Sequence, residues 1–166
     1  MTINNIIRFI LLVAVQVIIL NKINFSGYVD PYLYVFFILV LPFSIPRGAL
    51  LLLGFFTGAV IDVFSHTYGV HAAATTFMAF ARPGVIRMVS KKQEYETASA
   101  PGISEMGLRW FYFYSSVLIL LHHAMLFVLE AFSFDHLILL AYRIVLNAVI
   151  TLALVFIVHY LFPAQK

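Results

Sequence analysis

The chain has 166 residues, 63% of them hydrophobic and only 10% charged, with a formal charge of +3. An ordinary soluble domain carries about 25% charged residues, so this composition excludes a soluble core and describes one integral membrane domain. The basic residues gather in loops and not in a stripe, which excludes a nucleic-acid surface, and the absence of cysteine excludes disulfides and thiol chemistry.

Crossing the hydrocarbon layer takes about 20 apolar residues of helix. Six segments approach that length, at 4–21, 31–44, 47–64, 69–89, 109–132 and 136–161, with a polar loop over about 90–108. The first contains IIRFILLVAVQVIIL and resembles a signal h-region. NKINF follows it without a small-residue cleavage site, so it reads as a retained helix. In the second, Asp30-Pro31 fits an N-cap with proline at the first helical position, and Pro42 and Pro46 end this helix and begin the next. Its roughly 14 residues reach only about 21 Å, so a short span and a re-entrant segment are both open, and with them five or six spans.

The positive-inside rule favours six. With a cytoplasmic N-terminus the inner side carries Arg8, Arg47, Arg82, Arg87, Lys91, Lys92, Arg109 and Lys166, the outer side only Lys22, and Arg143 falls within the sixth segment. Asp30 and Asp135 lie in outer loops, and both termini are cytoplasmic. The stretch RPGVIRMVSKKQEYETASAPGISEMGLR is then a cytoplasmic loop whose basic half fixes topology. Within it, Ser104-Glu105 caps a short interfacial helix or the fifth span.

A charge at the centre of a membrane helix costs about 2.5–3.5 kcal/mol on insertion scales, so Asp62, Glu130 and Arg143, all in the outer half, are the informative residues. Gly54, Gly58, Asp62 and His66 recur every four positions and share one helical face, and the two glycines admit a neighbouring backbone, with internal packing favoured over a partner interface. Asp62, His66 and His71 make a loose metal set with no cysteine or second carboxylate beside it, so no metal is expected. His122 and His123 point about 100° apart, so one is expected to bond across to another helix and the other to sit nearer lipid or the protein surface. Glu130 or Asp62 can neutralise Arg143, whose face Asn147 extends by a turn. Ser65, Ser115 and Ser116 lack any supporting base or oxyanion motif, so neither catalytic residues nor a cofactor are expected. Tyr28, Tyr32, Tyr34, Tyr68 and Trp110 suit interfacial belts.

The pattern Gly54-x3-Gly58-x3-Asp62-x6-Gly69-x-His71-Ala72, set on the third and fourth of six short spans, resembles the rod shape-determining protein MreD family. The likeness extends over nearly the whole chain and includes Arg143-x3-Asn147, while the paired histidines with Glu130 look like a subgroup trait. It implies an all-α integral membrane protein, a six-helix transmembrane bundle similar to the S components of energy-coupling-factor transporters. It also implies a non-enzymatic inner-membrane scaffold of the bacterial elongasome, supporting lateral peptidoglycan synthesis and rod shape. The implied partners are an MreC-type protein and, through it, MreB, a RodA-type glycosyltransferase and a class B penicillin-binding transpeptidase, with membrane lipid and no nucleic acid. Gly54, Gly58, Asp62, Gly69 and His71 carry over from the family, with Arg143 and Asn147 as weaker additions.

The rival reading is an S component that captures a small molecule in an outward pocket lined by Asp62, His71, Glu130 and Arg143. S components dock through an Ala-x3-Ala pair on the first span, which IIRFILLVAVQVIIL lacks, and the small-residue track on the third span favours the scaffold. A membrane enzyme acting on lipid-linked precursors has no catalytic constellation behind it.

Overall fold

Long apolar runs without helix breakers fold here as helices, and the breaks fall at proline, glycine and polar clusters. The computed structural model describes residues 3–22, 29–90, 100–132 and 136–161. Tyr28, Lys91, Lys92, Asp135 and Lys166, named above, lie outside them. The elements are α1 (Ile3–Ile18) with a 3-10 turn (Leu20–Lys22), a second 3-10 turn (Leu33–Val35) leading into α2 (Phe36–Leu39), α3 (Arg47–Ser65), α4 (Val70–Val89), α5 (Ile103–Met106), α6 (Leu108–Ala131) and α7 (Leu137–Leu161). No strand occurs among the described residues.

Four stretches are long and apolar enough to cross a membrane: Ile3–Lys22, Arg47–Ser65, Leu108–Ala131 and Leu137–Leu161. At 20 residues α4 matches them in length, but His71, Thr75, Thr76, Arg82, Pro83 and Arg87 lower its hydropathy. It lies between α3 and α6, and α7 packs on another face of α6. These neighbours let α4 bury nine residues, among them Arg82, which is only 1% exposed. A helix flanked by protein can carry polar side chains that a lipid-facing helix cannot.

The segment expected as a helix over 31–44 is different. Only the 3-10 turn and the four residues of α2 are helical, and Asp30 caps nothing: the residue before the turn is Tyr32, which makes no side-chain cap. The reason is the surroundings. No residue from Leu33 to Leu41 is more than 4% exposed, because α1, α3 and α7 enclose this insert. Tyr34 lies level with His71 and His122, and Phe43 already meets Trp110, ring centroids 6.2 Å apart. His122 and Trp110 are about 18 Å apart along a helix that rises about 1.5 Å per residue, so the insert runs down much of the bundle.

A buried irregular backbone needs partners from elsewhere, since every orphaned polar group in an apolar setting is costly. Gln16 of α1 donates from Nε2 to the Pro31 carbonyl at 2.9 Å and accepts from the Tyr34 amide at 3.4 Å. On α7, Thr151 accepts from the Tyr32 amide at 3.0 Å and Asn147 from the Asp30 amide at 2.6 Å. At the other end the Tyr114 hydroxyl donates to the Leu39 carbonyl at 2.9 Å, and Arg82 donates from Nη2 to the Leu41 carbonyl and from Nε to Tyr114 at 2.8 Å. Among the described residues Arg82 has no ion-pair partner. Its charge instead meets neutral oxygens, the Leu41 carbonyl just past α2 and the Tyr114 hydroxyl.

Candidate functional site

The glycine face of α3 is a contact with α4. A Cβ on Gly54 would stand 2.9 Å from the Ala79 Cβ and 3.0 Å from the Thr75 carbonyl oxygen. A Cβ on Gly58 would overlap the His71 carbonyl and stand 2.5 Å from the Ala72 Cα. The two backbones touch there, as paired small residues allow. His66 departs from the face it was expected to share. At φ 55 it is the left-handed residue that ends α3, and its side chain is exposed.

Gly69, at φ 84, starts α4 and brings no side chain to cap it. Asp62 supplies the cap from the neighbouring helix. Its Oδ1 accepts from the His71 amide at 3.1 Å and from the Thr67 hydroxyl at 2.5 Å, and its Oδ2 accepts from the Ala72 amide at 2.8 Å. A carboxylate at a helix N-terminus satisfies orphan amides and opposes the positive end of the dipole. Among the described residues its hydrogen bonds all lie within this joint, so Asp62 is not the partner of Arg143. That partnership falls to Glu130 at 3.5 Å and to Asp30 at 3.8 Å, both from the same Arg143 nitrogen. Arg143 also stands 4.7 Å over the Phe127 ring, and Asn147 donates to its carbonyl. Burial raises the Asp30 carboxyl above its ordinary value, and the Arg143 guanidinium pulls it back.

Inside the joint is a closed polar centre. The Tyr34 hydroxyl is 3.0 Å from His71 Nδ1 and 2.8 Å from His122 Nε2, with Thr75 Oγ1 at 3.3 Å. His123 donates from Nδ1 to the Ile119 carbonyl at 2.8 Å, which leaves Nε2 to accept from Thr151 at 3.2 Å. Thus both histidines are fully buried, and neither is nearer lipid as expected. Lying between α4 and α7, α6 finds protein on two faces about 100° apart. Tyr34 and Trp110, expected at interfaces, are buried too, at 0% and 9% exposure, whereas Tyr68 is fully exposed. Sequence reasoning did not single out Tyr34, Gln16 or Thr151 for this centre. The available signal was a polar side chain set within each of three apolar runs.

A cleft of about 330 Å³ opens beside the centre. Gln16, Leu20 and Asn21 line it from α1 and the turn after it, Asp30 to Tyr32 from the start of the insert, and Phe64, Ser65 and Thr67 from the end of α3. Val70 and His71 of α4 and Leu126 and Glu130 of α6 complete it. Of the four residues expected in an outward pocket, His71 and Glu130 line this cleft, while Asp62 lies behind Thr67 and His71, and Arg143 is not in the lining but pairs with the lining carboxylates Asp30 and Glu130. Among the described residues no group of three or more acidic or histidine side chains is placed to hold a metal ion.

Fold and site together define a class: an all-helical chain with four helices able to cross a membrane, consistent with a multi-pass membrane protein built around a buried polar centre. Comparison with protein-family models, with curated proteins and with solved structures finds no match.

Proposed function

We propose that the chain is a non-enzymatic inner-membrane scaffold of the MreD kind, which holds an MreC-type partner and through it supports lateral wall synthesis. One observation carries the reading: the five residues on which the resemblance rests are neighbours in space. Gly54 and Gly58 bring α3 onto α4, Gly69 makes the turn, and Asp62 caps α4 at His71 and Ala72. Such a joint makes two helices one rigid body, which suits a part that positions other proteins. In this reading α4 and the buried insert complete six crossings in a bundle like that of S components, with both termini cytoplasmic. The descent of the insert from the level of His71 to that of Trp110 supports it.

The test is co-purification. Tagged chain extracted in mild detergent should bring an MreC-type protein with it, and loss of rod shape in cells lacking the chain should be restored by the parent sequence. Extraction that yields no such partner, with normal shape in its absence, overturns the proposal. The cleft favours a second reading, capture of a small molecule in the manner of an S component.

A further inference from the structure

His71 divides its ring between two environments. Nδ1 faces the Tyr34 hydroxyl at 3.0 Å inside the closed centre, while the residue also lines the cleft. His71 is only 4% exposed, and among the described residues Nε2, on the opposite side of the ring, meets no hydrogen-bonding partner. That nitrogen is the one left for the cleft.

Which nitrogen carries the proton follows from His122. Its Nε2 is 2.8 Å from the same Tyr34 hydroxyl, and its buried Nδ1 has no partner among the described residues. A buried N–H lacking an acceptor is rarer and costlier than a buried lone pair lacking a donor. His122 therefore keeps its proton on Nε2 and donates it to the Tyr34 oxygen, and Tyr34 in turn donates to His71 Nδ1. With Nδ1 accepting, a neutral His71 carries its proton on Nε2. Thr75 leaves this order intact, because its one hydroxyl proton goes to the His71 carbonyl at 2.8 Å.

The inner wall of the cleft thus presents an N–H donor, and its mouth has the opposite polarity. Asp30 and Glu130 both line it and share the guanidinium of Arg143, so among the described residues two carboxylates face one cation. The neighbouring Gln16 amide is committed to Asn21, Pro31 and Tyr34, and the Thr67 hydroxyl to Asp62. We propose that this cleft binds a small organic ammonium that also carries a hydrogen-bond acceptor, with the ammonium at Asp30 and Glu130 and the acceptor on His71 Nε2. The cleft volume, about 330 Å³, stands at the lower end of the range of about 300–1,000 Å³ for small-molecule pockets. The site does not depend on the scaffold reading, and it gives the capture reading a ligand class.

The experiment titrates the full chain in detergent micelles with three probes, followed by saturation-transfer NMR. The probes are 4-aminobutanamide, which has both groups, and its halves butylammonium and butanamide. The two-headed probe should bind at least about tenfold more tightly than either half, tenfold being about 1.4 kcal/mol. Glu130→Gln, at a half-exposed position, should weaken that probe by about tenfold. The same variant should keep the parent's thermal midpoint, so weaker binding is not misfolding. Three equal constants, no saturable binding, or an unchanged constant in Glu130→Gln would each overturn the site. Competition by phosphatidylethanolamine but not phosphatidylglycerol would assign the ammonium to a lipid headgroup, and its absence to a free solute. An MreC-type partner that still co-purifies when no probe binds would leave the scaffold proposal standing, so the two fail separately.

Discussion

Asp62→Ala tests the joint on which the bundle turns. The substitution removes the acceptor of the His71 and Ala72 amides and of the Thr67 hydroxyl, at a residue 6% exposed. Loss of a capping side chain costs about 0.5–2 kcal/mol, and a buried amide stripped of its acceptor about 1–3 kcal/mol. The end of α4 borders the cleft, where water replaces part of what is lost, so the expected total is about 2–4 kcal/mol. Asp62→Asn keeps one carbonyl oxygen and should cost about half as much. Reversible unfolding by dodecyl sulfate in mixed micelles measures this through Trp110, the single tryptophan, stacked on Tyr114 with ring centroids 4.7 Å apart. Trp110 contacts the Phe43 end of the insert, so its signal reports the whole bundle and not the joint alone. Hydrogen exchange at the His71 and Ala72 amides supplies the local readout and should accelerate. An Asp62→Ala protein within about 0.5 kcal/mol of the parent, its two amides still protected, would refute the capping argument.

Three further substitutions probe the same architecture. Gly58→Ala forces a Cβ into the His71 carbonyl and should destabilise by about 1–3 kcal/mol, whereas Gly48→Ala, which meets nothing within 4 Å, should be silent in the same unfolding assay. Arg82→Lys keeps the charge but loses the fork that reaches both Tyr114 and the Leu41 carbonyl, so it should lower the unfolding midpoint nearly as far as Arg82→Met. Tyr34→Phe leaves two buried histidine nitrogens without their shared hydroxyl and should cost about 1–3 kcal/mol. A double-mutant cycle with His122→Phe should then show strong coupling between the two positions, and additive effects would argue against the shared hydrogen bond.

Local rules made part of this molecule legible. The four-residue spacing of Gly54, Gly58 and Asp62 read as a helix contact face, and the structure packs it against α4. Gly69 read as a break, and it has the positive φ that favours glycine. What failed was anything that depends on how many neighbours a helix has. The 100° between His122 and His123 predicts one helix contact and one lipid-facing or surface position, but α6 packs against both α4 and α7. Tyr34 was assigned to an interface because aromatic residues near a helix start sit there in simple spans, whereas the insert carries it inward. The choice between Glu130 and Asp62 for Arg143 turned on whether Asp62 was already engaged, and its partners at 67, 71 and 72 become visible only once α4 is docked.

The insert also bears on the order in which the chain can be assembled. Residues 33–41 are made early, and α1, made before them, already supplies Gln16 to the Pro31 carbonyl and the Tyr34 amide, but the other groups that satisfy the surrounding backbone come later: Arg82 on α4, Tyr114 on α6, Asn147 and Thr151 on α7. Without those later helices the Leu39 and Leu41 carbonyls and the Asp30 and Tyr32 amides lack these partners, and such orphaned groups are penalised in an apolar setting. The last helix therefore completes the hydrogen bonding of the insert, and a chain lacking it would leave the Asp30 and Tyr32 amides without these acceptors.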